Sequence, residues 1–180
     1  GTVGNAHDLA PFIALARECR KQNVPVGFCF AGYGNHYAKE LSGVTAEDVN
    51  IRIADFVAEK ELPARLAAAD MHLVSISEGW EGIVLPSKIF GSLAMGRSIL
   101  YSGAPQGMIG TGESSCVLFL DRHDPASMVE KLKKLIADPD QLRAMNIAAF
   151  EEYRRRYSRA VITEKWNRLL QEGWEQKTGK

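Results

Sequence analysis

Met71-His72-Leu73-Val74-Ser75-Ile76, then Glu78-Gly79-Trp80-Glu81-Gly82-Ile83-Val84-Leu85-Pro86-Ser87-Lys88-Ile89-Phe90-Gly91-Ser92-Leu93-Ala94-Met95-Gly96, then Ser98-Ile99-Leu100-Tyr101, is the stretch whose reading decides the fold. The outer runs are short, continuous and apolar, as strands buried on both faces are. Between them lie an acidic, glycine-containing loop and a segment with apolar residues at Ile89, Phe90, Leu93 and Ala94, the spacing of one helix face. Strand, polar loop, helix, strand is a βαβ crossover. Its loop falls at the carboxyl end of a parallel strand, where the first-turn N–H groups of the next helix face a crevice. Such a place suits an anion.

The loop residues refine that expectation. Pro86 and Ser87 fit a helix start, because proline has no N–H to leave unpaired and the serine hydroxyl can cap. Lys88 sets a positive charge beside those amides, which suits a phosphate. Glu78 and Glu81 repel a phosphate, so as ligand groups they accept hydrogen bonds from hydroxyls; their alternative reading is a solvated acidic loop. Phosphate at one end and hydroxyls at the other describe a nucleotide sugar. Gly82 and Ile83 offer backbone groups to the same ligand, and Trp80 reads as a shield from water, an acceptor contact or a protein interface.

Outward from this unit the α/β alternation continues. Residues 24–31 form a β-rich apolar run ending in Gly32-Tyr33-Gly34, with a return helix over 35–41. Residues 50–53 read as a short strand before Ala54-Asp55-Phe56-Val57, and a helix with Pro63 in its first turn runs over 61–69. Downstream, 103–109 read as a turn and short helix and 116–120 as a strand. Asp124-Pro125 starts a helix with a stripe at Met128, Val129, Leu132, Leu135 and Ile136, which Asp138-Pro139 ends. Leu142, Met145, Ala149 and Tyr153 continue a helical tail, and Arg154-Arg155-Arg156 reads as its solvated end. A last amphipathic helix over 157–174 carries Val161, Trp166, Leu169 and Leu170. The chain opens on Gly1-Thr2-Val3-Gly4-Asn5-Ala6-His7-Asp8, a polar glycine loop entering a helix striped by Leu9, Phe12, Ile13, Ala16 and Cys19. Such a loop ordinarily follows a strand, so a first strand is expected before it.

Composition excludes several classes. With 180 residues and 46% hydrophobic content one well-buried domain is the expectation. Lys+Arg and Asp+Glu balance at 22 each, which gives no global field for nucleic acid or an anionic membrane. Cys19, Cys29 and Cys116 are too scattered for a disulfide framework or a metal site, and they fit a reduced, cytosolic setting. No metal and no cofactor is expected. A Walker-type phosphate loop and a nucleophile triad are both absent from the sequence.

The Glu78 to Gly96 stretch with Ser98-Ile99-Leu100 resembles the donor-site segment of the retaining, glycogen-synthase-like glycosyltransferases. It is most similar to a polysaccharide-assembly subgroup reading roughly G-hydrophobic-x-P-S-K-hydrophobic-aromatic-G-x-L-A-x-G. The resemblance extends from Gly4 to about Leu170 and implies a Rossmann-like α/β fold, a parallel sheet with helices on both faces, as the donor-binding half of a two-domain GT-B enzyme. Residues 1–157 would then be the nucleotide-sugar domain and 158–180 a helix bracing an amino-terminal acceptor domain. The implied reaction is transfer of a sugar from a UDP- or GDP-linked donor to an acceptor in polysaccharide or glycolipid synthesis, in the cytoplasm or at the inner face of its membrane. Carried over residue by residue, Gly4 and Asn5 belong to the phosphate-approaching loop, and Phe56 and Val57 to the base-contacting strand end. Glu78, Glu81, Gly82, Ile83, Pro86, Ser87 and Lys88 belong to the donor loop. The family's glycine loop commonly carries an arginine and a lysine that neutralise the leaving diphosphate. Thr2 and His7 stand at those positions here, so His7 either takes over part of that role or is a solvated loop residue beside a capping Asp8. The family's second glutamate, separated from the first by seven residues, is missing, since Ile89 stands at its place, and Ser87 and Lys88 are the replacements in view. Phe56 packs on the base or in the core. Rival readings are a non-catalytic nucleotide-sugar-binding module and an epimerase on the same scaffold.

Overall fold

The structure, a computed structural model, describes residues 2–104 and 115–178. Elements follow in the order α1 (Ala10–Lys21), β1 (Phe28–Ala31), α2 (Asn35–Leu41), β2 (Ile51–Ala54), a 3-10 turn (Glu59–Glu61), α3 (Leu62–Ala67) and β3 (Met71–Ser75). Then come α4 (Lys88–Ala94), β4 (Ser98–Ser102), β5 (Val117–Phe119), α5 (Pro125–Ala137), α6 (Pro139–Glu152), a wide π-type turn (Tyr153–Tyr157) and α7 (Arg159–Thr178). All strand pairs are parallel: β1 with β2, and β3-β4-β5 with β4 central. This is the Rossmann-like α/β architecture expected, with helices on both faces.

Strand β4 shows why the alternation holds. It is buried along its whole length. Leu100 joins the cluster of Phe12, Leu15, Met128 and Val129 from α1 and α5 on one face. Ile99 and Tyr101 join Ile89, Leu93 and Ala149 from α4 and α6 on the other. Each such side chain contributes about 1.5–3 kcal/mol on burial. A one-residue slip would exchange the faces, so the pairing Met71 with Ser98 and Ile99 with Val117 is fixed by packing.

Helix ends follow local chemistry. Asp124 accepts from the Ser127 amide at 3.2 Å and Asp138 from the Gln141 amide at 3.2 Å. Asp138-Pro139 therefore both stops α5 and starts α6. At α1 the Ala10 amide donates to Asp8 Oδ1 at 3.0 Å and the Leu9 amide to Glu40 Oε2 at 2.8 Å, so two carboxylates already occupy the positive end of that helix.

Two expectations are corrected and one is refined. Ile136 lies on the solvent side of α5, since its neighbours Val129, Leu132 and Leu135 already fill the face toward the core. The arginine run, expected as a solvated helix end, is exposed at Arg154 and Arg155 and lies in the π-type turn, where Arg155 and Arg156 donate to Glu152 at 2.7 and 2.9 Å and Arg156 lies over the Tyr157 ring. Phe56 is 58% exposed and belongs to no core. Of the turn and short helix expected over 103–109, positions 105–109 fall outside the described residues. No helix among the described residues is long and apolar enough to cross a membrane.

Candidate functional site

The carboxyl ends of β1 and β3 hold the opening loop between them. Thr2 bridges Tyr33 beyond β1 and the Val3 amide donates to Tyr33 O at 3.4 Å. On the other side the Ser77 amide, just past β3, donates to Ala6 O at 2.9 Å, and Ser77 Oγ to Asn5 O at 3.4 Å. Gly4 and Asn5 are exposed along this seam. The fold thus brings Gly4, Asn5 and His7 to the rim where the Glu78–Gly82 loop also begins.

His7 and Lys88 are in contact, 81 positions apart in sequence. The carbonyl of Ser75 can only accept, so the 3.0 Å contact with His7 Nδ1 places the imidazole proton there. Nε2 is left as an acceptor and takes a hydrogen bond from the Lys88 ammonium at 3.0 Å. Burial lowers the His7 pKa, the Ser75 carbonyl opposes that, and the Lys88 charge adds to the lowering. Burial also lowers Lys88, because the protein crowds its ammonium although the side chain as a whole remains exposed. Together they set one ammonium charge against a neutral imidazole at a single spot.

The head of α4 differs from its expected form. Ser87 is already in helical conformation and its hydroxyl caps nothing. A capping side chain needs an extended backbone to reach the next amides. The amides of Ser87, Ile89 and Phe90 donate to the carbonyls of Leu85, Pro86 and Ser87 at 2.8, 3.0 and 3.2 Å. A tight first turn has consumed these three amides, which leaves the Lys88 amide and the side chains of Lys88 and His7 at this end. Pro86 is buried and anchors the turn, while Ile83 is exposed.

The acidic loop is shaped by two glycines with positive φ, Gly79 at 81° and Gly82 at 78°. Glu81 folds back so that one carboxylate oxygen accepts from the Gly79 amide at 2.8 Å, which stiffens the loop and leaves the other oxygen for a ligand. Glu78 extends into solvent, its side chain 86% exposed. Tyr33 and Phe56, at the exits of β1 and β2, stack edge to face with centroids 5.1 Å apart, and Val57 is partly buried. Two residues at this rim escaped sequence reasoning. Tyr33 sat inside a bare G-x-G, and Arg122, from the loop after β5, donates to Ile76 O at 3.2 Å. The one signal for Arg122 was its place just after a strand, at the edge where ligands bind. Among the described residues no group of three or more His, Cys, Asp and Glu side chains could hold a metal ion.

A family model described as Glycosyl transferases group 1 matches residues 2–138. No curated protein matches the sequence. Several solved structures share the fold. A crystal structure of a S. aureus TarM variant in complex with fondaparinux, alpha-GlcNAc-glycerol and UDP aligns with TM-score 0.69 and 16% identity over 94% of this chain and 34% of that one. Anabaena HepE in complex with UDP aligns with TM-score 0.69 and 14% identity, over 96% and 47%. The C-terminal domain of a glycosyl transferase group 1 family protein, LpcC, from Francisella tularensis aligns with TM-score 0.64 and 16% identity, over 88% and 84%. The chain therefore spans about a third of TarM's length but most of an isolated carboxyl-terminal domain.

Proposed function

This chain belongs to the glycosyl transferases group 1 family, and on that premise we propose that it is the donor-binding half of a GT-B sugar transferase using a UDP- or GDP-linked hexose. The observation that carries this reading is the contact between His7 and Lys88 at the carboxyl end of the sheet, beside the loop bearing Glu81. The diphosphate lies against Lys88 and His7, the hexose hydroxyls meet the open oxygen of Glu81, and the base rests on the aromatic pair of Phe56 and Tyr33. As the bond from the anomeric carbon to the phosphate oxygen breaks, negative charge gathers on the leaving diphosphate, and Lys88, with His7 once it has taken up a proton, stabilises it. The acceptor oxygen bonds to the same carbon with retention, and its proton leaves on the departing phosphate. An acceptor in polysaccharide or glycolipid assembly, held by an amino-terminal domain at the cytoplasmic face of a membrane, completes the proposal. HepE and TarM having been crystallised with UDP lends support to a uridine donor.

Titration calorimetry with UDP-, GDP- and ADP-sugars tests it. One nucleotide sugar should bind, and Lys88→Ala should weaken it about 10- to 100-fold, the worth of a hydrogen bond to a charged group. No binding by any of the panel, or affinity indifferent to Lys88, would remove the reading.

A further inference from the structure

We infer that Arg122 is a positioning residue of this donor site, acting through Glu78 and the loop that carries Glu81. The inference rests on the donor-site reading and deepens it. Its starting point is a charge conflict: two carboxylates, Glu78 and Glu81, lie three positions apart in a loop that has to receive a diphosphate ester. The His7 imidazole and the Lys88 ammonium reach that region from the opening loop and the head of α4. Arg122 reaches Glu78 out of the loop after β5.

Its guanidinium does two things at once. One nitrogen donates to Ile76 O at 3.2 Å, capping the exit of β3, whose own Ile76 amide is held by Ser102 O at 2.9 Å. Another faces Glu78 Oε2 at 4.0 Å. The arginine is the held member of the pair, with its side chain 20% exposed against 86% for Glu78. Beneath lies Tyr101, wholly buried, its hydroxyl without a hydrogen-bond partner and in the field of both Glu81 and Arg122. The arginine charge thus faces Glu78, three positions before Glu81 in the same loop. A fixed fork tied to the sheet can hold the loop's base in place and offset the charge of Glu78 without touching the diphosphate.

Binding of the best nucleotide sugar of the panel, measured by calorimetry on the whole chain, separates this from a merely structural role. Arg122→Gln should raise Kd about tenfold, and Glu78→Gln added to it should return Kd to within about threefold of wild type, the size of coupling that contacting charges show. Arg122→Lys, which keeps the charge and loses the fork, should fall between and serves if Arg122→Gln does not fold. An unchanged Kd in Arg122→Gln, or a loss that Glu78→Gln leaves unrepaired, overturns the inference while the donor site stands. A wild-type chain that binds no nucleotide sugar takes the donor reading down, and this inference with it.

Discussion

His7 is neutral in the folded chain because its Nδ1 proton is committed to Ser75 O and its Nε2 lone pair to Lys88. That has two consequences of definite sign. The folded-state pKa lies below the unfolded value, so between the two the unfolded chain binds the extra proton and stability falls as pH drops below about 6.5. A diphosphate placed against the same nitrogen works the other way: it attracts Lys88, frees Nε2 and raises the pKa, so binding should take up a proton. Nucleotide-sugar affinity should therefore strengthen from pH 8 toward pH 6. Calorimetry in two buffers of different ionisation enthalpy reads the uptake directly, and an esterified diphosphate adds no titration of its own in that range. His7→Asn should abolish the uptake; the same uptake in that variant would assign the proton elsewhere. None of this was legible in sequence, where His7 and Lys88 stand 81 positions apart and a lone histidine reads equally well as solvated.

The elements around the site divide by how their information is stored. Strands β3 and β4 and helix α4 were legible because continuous apolar runs and a helical stripe are local signals; β4 is buried as read, while β3 is fully buried only at Val74 and Ser75 and the α4 stripe only at Ile89 and Leu93. The head of α4 was not legible in detail. Whether Pro86-Ser87 leaves amides free or folds them into a tight turn depends on the backbone before it, where Leu85 and Pro86 supply the carbonyls. The choice between base and core for Phe56 was open for a related reason, since an aromatic after a strand belongs to the core unless the strand ends at an open rim. The acidic loop offers an element-scale test. A Cβ at Gly82 would meet nothing within 4 Å, so Gly82→Ala has no steric cost and acts only through its φ of 78°. The strain is about 1–2 kcal/mol. We expect a small drop in thermal stability and a clear loss of donor affinity as Glu81 turns away; Gly27→Ala, equally open but without positive φ, should change neither. Equal effects at the two glycines would mean that the loop's left-handed geometry is not what places Glu81.

At the scale of the whole molecule, the two clusters that sandwich the sheet are complete without α7. Helix α7 leaves Ile162, Trp166, Leu169, Leu170 and Trp174 exposed, on the face that its own spacing makes apolar. Five large apolar side chains on one helix face form the kind of patch that marks an interface, and the resemblance expects an amino-terminal domain against it. In the chain alone that face contributes little, because residues uncovered in the folded state lose nothing when replaced. Leu169→Glu with Leu170→Glu should therefore shift stability by no more than about 0.5 kcal/mol, and Lys88-dependent nucleotide-sugar binding should be unchanged. In a chain that also carries the acceptor domain, the same pair should separate the halves and abolish transfer while donor binding persists. Denaturant unfolding of both forms decides it: a pair that unfolds the isolated chain would place α7 in its core, and a pair that leaves the longer chain's transfer intact would free the acceptor domain from this helix.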